Sequence, residues 1–195
     1  MARKHQQERN EAIKQMIIDA ALKICIDEGY SEVTVRRIGD MIGYSTGVIY
    51  YHFRDKRDII DCLDQRLDEE VYSTVSSITD PSMPIKDNLL KLYEFNCDLA
   101  YNNYEKYRRI FATSRIEANQ YTRKMWLNMI SEWVSASAER GDIKNDDIEE
   151  KSRCVLSYIL GYNLLWFEVS KTDYETAISN RDTAVNMVLS GVLNA

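Results

Sequence analysis

Proline and glycine are scarce in this chain: its 195 residues hold two of the first and seven of the second. Tight turns between strands draw on those residues, and no stretch alternates apolar and polar positions for long. The sequence therefore predicts an all-α protein. Histidine is scarcer relative to its uses, present only as His5 and His52. A histidine-based metal cluster or a Ser-His-Asp triad would have to recruit one of these two, so no catalytic residue, metal or cofactor is expected. The four cysteines, Cys25, Cys62, Cys97 and Cys154, lie far apart with no paired spacing. They read as reduced thiols of a cytoplasmic protein. Met1 to Lys14 is polar and lacks the apolar core of a signal peptide, so none is expected. The densest apolar stretch, Ile159 to Val169, is interrupted by Gly161, Asn163 and Glu168 and is too short to span a bilayer. No membrane partner is expected.

What is present is a globular composition, 45% hydrophobic and 29% charged, with a net charge of −6. The charge is uneven. Residues 1–60 carry ten Lys/Arg against nine Asp/Glu, or +1, while residues 61–195 carry fifteen against twenty-two, or −7. An acidic total thus leaves room for a basic patch near the N-terminus. Both prolines fall in Thr79-Asp80-Pro81-Ser82-Met83-Pro84, the best loop signal in the chain,. Four of the seven glycines fall between Gly29 and Gly47, so the N-terminal region is built of short helices and tight turns. The division expected is a domain over 1–60, with a basic tail over 1–10, and a helical domain over 61–195.

In the first region apolar residues at helical spacing mark a helix from about Asn10 to Asp27, ended by Gly29. Thr34 is a good N-cap for Val35 to Ile42, Ser45 for Thr46 to His52, and Asp55 for a long helix from Lys56 to about Ile78. Two short helices joined at Gly43-Tyr44-Ser45 have the spacing of a helix-turn-helix, in which the second helix lays its first residues in the major groove of DNA. Tyr50, Tyr51 and His52 are consecutive, so they cannot all face inward from one helix. Arg54, Lys56 and Arg57 follow closely, and aromatics interleaved with cations suit phosphate and base contacts. A compact three-helix core without DNA is the plain alternative.

At these residues the chain resembles the tetracycline-repressor (TetR) family of bacterial transcriptional regulators. The resemblance is carried by Ile17-Ile-Asp-Ala-Ala-Leu, Asp27-Glu-Gly-Tyr30, Thr34-Val-Arg-Arg-Ile38, and Gly43-Tyr-Ser-Thr-Gly-Val-Ile-Tyr-Tyr-His-Phe53 followed by Lys56. It covers roughly residues 13–65. It implies a homodimeric repressor bound to a double-stranded DNA operator, with a small-molecule effector pocket in the C-terminal domain. Thr34 and Lys56 then look like phosphate contacts at helix N-termini. Arg36 looks like a reader of base edges, with Arg37 nearer the backbone. Thr46, Gly47 and Val48 form the leading edge of the recognition helix, and Ser45, which caps it, is a further candidate DNA contact. Tyr50 and His52 look like phosphate contacts and Tyr51 like a base or sugar contact. The chain departs from the family at Thr46, where Lys is common, at Val48, where Thr is common, and at Cys25, where Phe is usual. Arg3, Lys4, Arg9 and Lys14 suit a basic arm reaching the adjacent backbone or minor groove, or a plain solubilising tail.

Beyond Pro84 the periodicity predicts helices over 85–103, 104–114, 121–140, 146–170 and 174–194. The run from Val155 to Val169 and the last helix are apolar on nearly every face, so each must be covered on two sides. Leu165, Val169, Val185, Val188, Leu189 and Val192 are the candidates for a dimer interface, in agreement with the last-two-helix dimer that the resemblance implies. All three tryptophans and nine of the thirteen tyrosines lie beyond residue 60. Tyr93, Tyr101, Tyr104, Tyr107, Phe111, Trp126, Tyr158, Tyr162 and Trp166 are candidates to line a ligand cavity. Asn96, with Glu94, Asp98, Asn163 and Glu168, is a candidate polar determinant. Aromatics at helical spacing are also what an ordinary core contains. The acidic balance favours an apolar or aromatic effector that is neutral or cationic. A ligand-responsive repressor leads. A dimeric DNA-binding or interaction protein without an effector is the alternative, and an all-helical enzyme lacks both a phosphate loop and a metal cluster.

Overall fold

The computed structural model describes residues 2–108, 110, 120–169 and 172–193, without the side chains of 2, 3, 120–123, 163, 168 and 169. Among these residues the regular structure is helical throughout. The chain divides into two compact units, Met1–Leu67 and Asp68–Ala195.

The N-terminal unit holds α1 (Ala2–Glu28), a single 3₁₀ turn (Tyr30–Glu32), α2 (Val35–Ile42), α3 (Thr46–His52) and the first half of α4 (Lys56–Ile78). Apolar periodicity marks α1 only from about Asn10, yet the helix runs back to Ala2. The residues before Asn10 are strong helix formers with no proline or glycine among them, and side-chain pairs one turn apart, Gln6 with Asn10 and His5 with Glu8, support the exposed end. The expected basic tail is thus helical from Ala2. Ile17, Ala21, Ile24, Val33, Ile38, Ile49, Ile59 and Leu63 are all at most 1% exposed and form an aliphatic core. The Arg66 guanidinium pairs with Asp19, tying α4 to α1.

The C-terminal unit holds the rest of α4, then α5 (Ile85–Asn102), α6 (Tyr104–Tyr107), α7 (Gln120–Glu139), α8 (Ile148–Asn163), α9 (Tyr174–Ser179) and α10 (Arg181–Val188). The helices α8 and α10 each continue in a π-helical segment, Leu164–Val169 and Leu189–Leu193. Two adjoining cores form. One gathers Val71, Val75, Leu89, Trp133, Ile130, Val155 and Val188, and the other Tyr93, Cys97, Tyr107, Phe167 and Ala177. The proline loop is fastened by Arg140, which donates to the carbonyls of Pro81 and Met83 at 2.8 Å each. The single last helix expected from periodicity is broken at Asn180. Its φ of −87° and ψ of −2° belong to a turn, and its amide donates to the Thr176 carbonyl at 2.9 Å, a local bond that competes with the helix ladder.

Candidate nucleic-acid interface and interior cavity

The N-terminal unit builds a helix-turn-helix from short-range bonds. Thr34 Oγ1 accepts the Arg37 backbone N–H at 3.2 Å and starts α2,. Gly43, at φ +73°, ends it in the left-handed region,. The turn is close enough that a Cβ on Gly39 would lie 2.6 Å from the Tyr44 carbonyl oxygen. Gly39 is therefore what lets α2 meet the turn before α3, and it was not singled out from sequence because the contact is tertiary. Ser45 occupies the N-cap position of α3, but its hydroxyl caps nothing. At α4 the caps are reciprocal: Asp58 N–H donates to Asp55 Oδ1 at 2.9 Å, and Arg54 N–H donates to Asp58 Oδ2 at 3.0 Å,. That Arg54 bond, with the Arg54 charge, holds the Asp58 carboxyl below the usual carboxylate range.

Ile49 and Phe53 are buried and seat α3, which leaves its other side chains outward. Thr46 and Gly47 are exposed and Val48 is half-buried. Tyr50 and Tyr51 stand 56% and 74% exposed, and His52 meets the Tyr51 ring edge-on at 5.0 Å. Arg36 is exposed, with only a 4.0 Å ion pair to an equally exposed Asp40. Arg37 differs. It is paired with Glu28 and, at 2.8 Å, with Glu32. The Arg37 hydrogen bond and charge keep Glu28 below its ordinary range and raise Arg37 in turn. The Lys56 ammonium lies 5.4 Å from the centre of the Tyr30 ring, a cation–π contact that positions it at the start of α4,.

The expected ligand residues separate into three groups. Tyr93, Asn96, Tyr158 and Tyr162 line one cavity of about 30 Å³ with Leu89, Leu92, Ile159, Ala184, Val185 and Val188. Tyr101 and Tyr104 instead line an open groove of about 360 Å³ with Ala100, Phe167 and Thr172. Tyr107 and Trp126 are core residues, packed edge-on against Phe167 at 5.3 Å and Tyr72 at 5.7 Å. Trp166 stacks on Tyr162 at 5.3 Å, outside the cavity lining. Phe111 lies outside the described residues, as do the side chains of Val169, Asn163 and Glu168.

Residues 17–62, which span the core of α1, the helix-turn-helix and the start of α4, match the family model of bacterial regulatory proteins, tetR family. Over these residues the chain is similar to the tetR family. Its likeness to the AcrR regulator of Shigella flexneri is 41% identity over 59 residues, 30% of this chain and 27% of that one. The chain spans between 27% and 46% of the length of the first four curated relatives it matches. Likeness of fold extends further. The crystal structure of the Bacillus subtilis regulator FadR with stearoyl-CoA superposes with a TM-score of 0.68 at 19% identity, over 91% of this chain and 98% of that one. SmeT, the repressor of a Stenotrophomonas maltophilia multidrug efflux pump, gives 0.68 at 18% identity, over 93% and 90%.

The six expected interface residues also divide. Val185 and Val188 are 4% and 3% exposed and face the chain's own core, and Leu189 and Val192 are half-buried. Leu165, at 58%, stands outward with Leu160 at 38%, Leu164 at 43% and Met187 at 59%. A helix apolar all round does not reveal which side its own core will take, so sequence periodicity left the inner and outer faces of α10 undistinguished. Among the described residues no helix is long and apolar enough to cross a membrane.

Proposed function

We propose that this chain is a cytoplasmic, homodimeric transcriptional repressor that holds a palindromic double-stranded operator through α3 and releases it when a small apolar or aromatic effector binds its C-terminal unit. The observation that carries the reading is α3 itself. A seven-residue helix that seats one buried isoleucine and leaves two tyrosines more than half exposed has its largest apolar surfaces aimed at something outside the chain. Exposed Arg36 and half-buried Lys56 at the adjoining helix starts supply the charge for a phosphate backbone,. Arg37, paired with Glu28 and Glu32, is assigned to holding α2 on the end of α1 and to the backbone only secondarily. The outward leucines of α8 and Met187 of α10 support a second copy as the covering partner. Stearoyl-CoA, the ligand of the solved B. subtilis FadR, is polyanionic, and the −7 balance of residues 61–195 disfavours it here. Release then follows from a population shift, the effector preferring the form with the weaker grip on DNA.

Selection of bound fragments from the source genome, followed by titration on the selected site, tests this. Arg36→Ala and Tyr51→Ala are expected to cost about 1–3 kcal/mol each on the selected site and to relax its sequence preference. Lys56→Ala is expected to weaken all sites alike and to lower the salt slope by about one. A chain that retains no fragment above background at low salt would refute the reading.

A further inference from the structure

Two asparagines on α5 are equally buried and differently satisfied. Asn88, 0% exposed, donates to the Asp80 carbonyl at 2.8 Å and accepts the Asp80 N–H at 3.0 Å. Asn96, 2% exposed, leaves its Oδ1 with no hydrogen-bond partner among the described residues. A buried amide oxygen left unpaired costs the fold about 1–3 kcal/mol, and Asn96 lines the 30 Å³ cavity between α5, α8 and α10.

The tyrosines around it offer no proton. Tyr93 donates its one hydroxyl proton to the Ala177 carbonyl at 2.8 Å, so the 3.3 Å contact with Tyr162 takes the Tyr162 proton. Tyr158 donates to the Ala184 carbonyl at 3.3 Å. Burial pushes all three phenols up from their ordinary range, so they remain neutral. What the cavity presents is therefore the unpaired Asn96 Oδ1 and the phenol oxygens as acceptors, with the Asn96 carboxamide N–H groups as its only side-chain donors, within a lining that has no charged residue,. A carboxylate would be desolvated with no cation in the wall, and an ammonium with no carboxylate in it,.

Resting on the effector reading above, we infer that this cavity is the seat for the donor group, O–H or N–H, of a neutral effector with an apolar body, such as an alcohol, phenol or amide. At about 30 Å³ the cavity has room for such a head group,. The body of a ligand needs several hundred Å³, so binding parts α10 from α5 and α8. The helix that moves carries Met187 on the outward face proposed for the second copy.

The test uses the full chain and four probes built on one ring: phenol, toluene, benzoate and benzylammonium, measured by calorimetry and by thermal shift. Phenol is expected to bind at least tenfold more tightly than toluene, with benzoate and benzylammonium weaker than both. Asn96→Leu is expected to melt at a higher temperature than the wild type and to bind phenol no better than toluene. Asn96→Ala, which adds room as it removes the acceptor, is expected to lose the same preference. Equal binding of phenol and toluene, a preference retained in either variant, or no binding of any probe at millimolar concentration would overturn the inference, the last because water alone then satisfies Asn96. Operator release is scored separately. Phenol binding by Asn96 without release of DNA leaves the site standing and removes the effector reading. Release by some other compound, identical in the wild type and Asn96→Leu, does the reverse.

Discussion

The helix starts of the N-terminal unit are set by partners three or four residues away: Thr34 with Arg37, Asp55 with Asp58, Arg54 with Asp58. The tyrosine hydroxyls around the C-terminal cavity find theirs far along the chain, Tyr93 with Tyr162 and Ala177 at separations of 69 and 84 residues. Beside them Arg181 pairs with Glu94 across 87. Short-range closure gives a platform that presents fixed side chains. Long-range closure gives a site that exists only when several helices are docked, and that one helix can open. A recognition surface needs the first property, and an effector site that alters a structure needs the second.

The widest separation between inner and outer faces is expected in α8 and α10. Val188→Glu places an unpaired carboxylate in the core and is expected to cost on the order of 4 kcal/mol, giving a chain with no cooperative melt. Leu165→Glu, on the exposed turn after α8, is expected to keep the helical signal of the wild type while sedimenting as a monomer. Cooperative melting of the Val188 variant would show that α10 is not docked as described, and a dimeric Leu165 variant would remove the proposed face.

Gly39→Ala tests the platform. A Cβ 2.6 Å from the Tyr44 carbonyl oxygen meets backbone, which cannot rotate away, and a cost of about 3 kcal/mol is expected. Loss of operator binding should accompany it, because α2 and the turn before α3 would have to separate. Urea unfolding and DNA titration of the same variant check both parts. Full DNA affinity with lowered stability would mean that the turn relaxes without moving α3.

These two tests also mark where the sequence was legible. Thr34, Gly43, Asp55 and the buried spacing of Ile17, Ile38, Ile49 and Ile59 are local signals, and each was readable because its partner or its period lies within a few residues. The start of α1 was misplaced because periodicity reports burial, and the exposed turns before Asn10 have none to report. Gly39 was unreadable because its neighbour is set by the path of the turn. In the C-terminal unit, helices and their aromatic surplus were legible, but which aromatics share a cavity was not. Tyr93, Asn96, Tyr158 and Tyr162 converge only through packing, and Trp126 and Tyr107, identical in kind, fall to the core. The break at Asn180 and the π segments after α8 and α10 carry no composition signal of their own.

Alkali separates the units by chemistry. Burial holds the Cys97 thiol up to about 12 and raises Tyr93 as well. In the unfolded chain these groups release their protons near their ordinary values, about 8.5 and 10. A raised folded value gives stability that is complete below the unfolded value and is lost as pH rises toward the folded one. The C-terminal unit is therefore expected to lose on the order of 2 kcal/mol by about pH 10.5. Cys97→Ala should reduce that slope. Near-ultraviolet dichroism of the tryptophans, all in the C-terminal unit, follows the loss. An equal slope in the Cys97 variant would mean that other groups carry it.

The smallest effect expected is at Gly161, and it bears on the same outward face as Leu165. This glycine lies within α8, is exposed, and a Cβ added to it meets nothing within 4 Å in the single chain. In an isolated helix Gly161→Ala should stabilise by up to about 1 kcal/mol, since alanine orders at less entropic cost. A second copy packed over Leu160 and Leu164 changes that sum, because the added methyl then enters a contact between helices where small residues set the approach. The gain should be present at protein concentrations low enough to dissociate the dimer and should shrink or reverse at high concentration. Urea unfolding at concentrations about a hundredfold apart measures it. An identical gain at both would mean that nothing covers this turn of α8, and the covering partner would have to be sought on α10 alone.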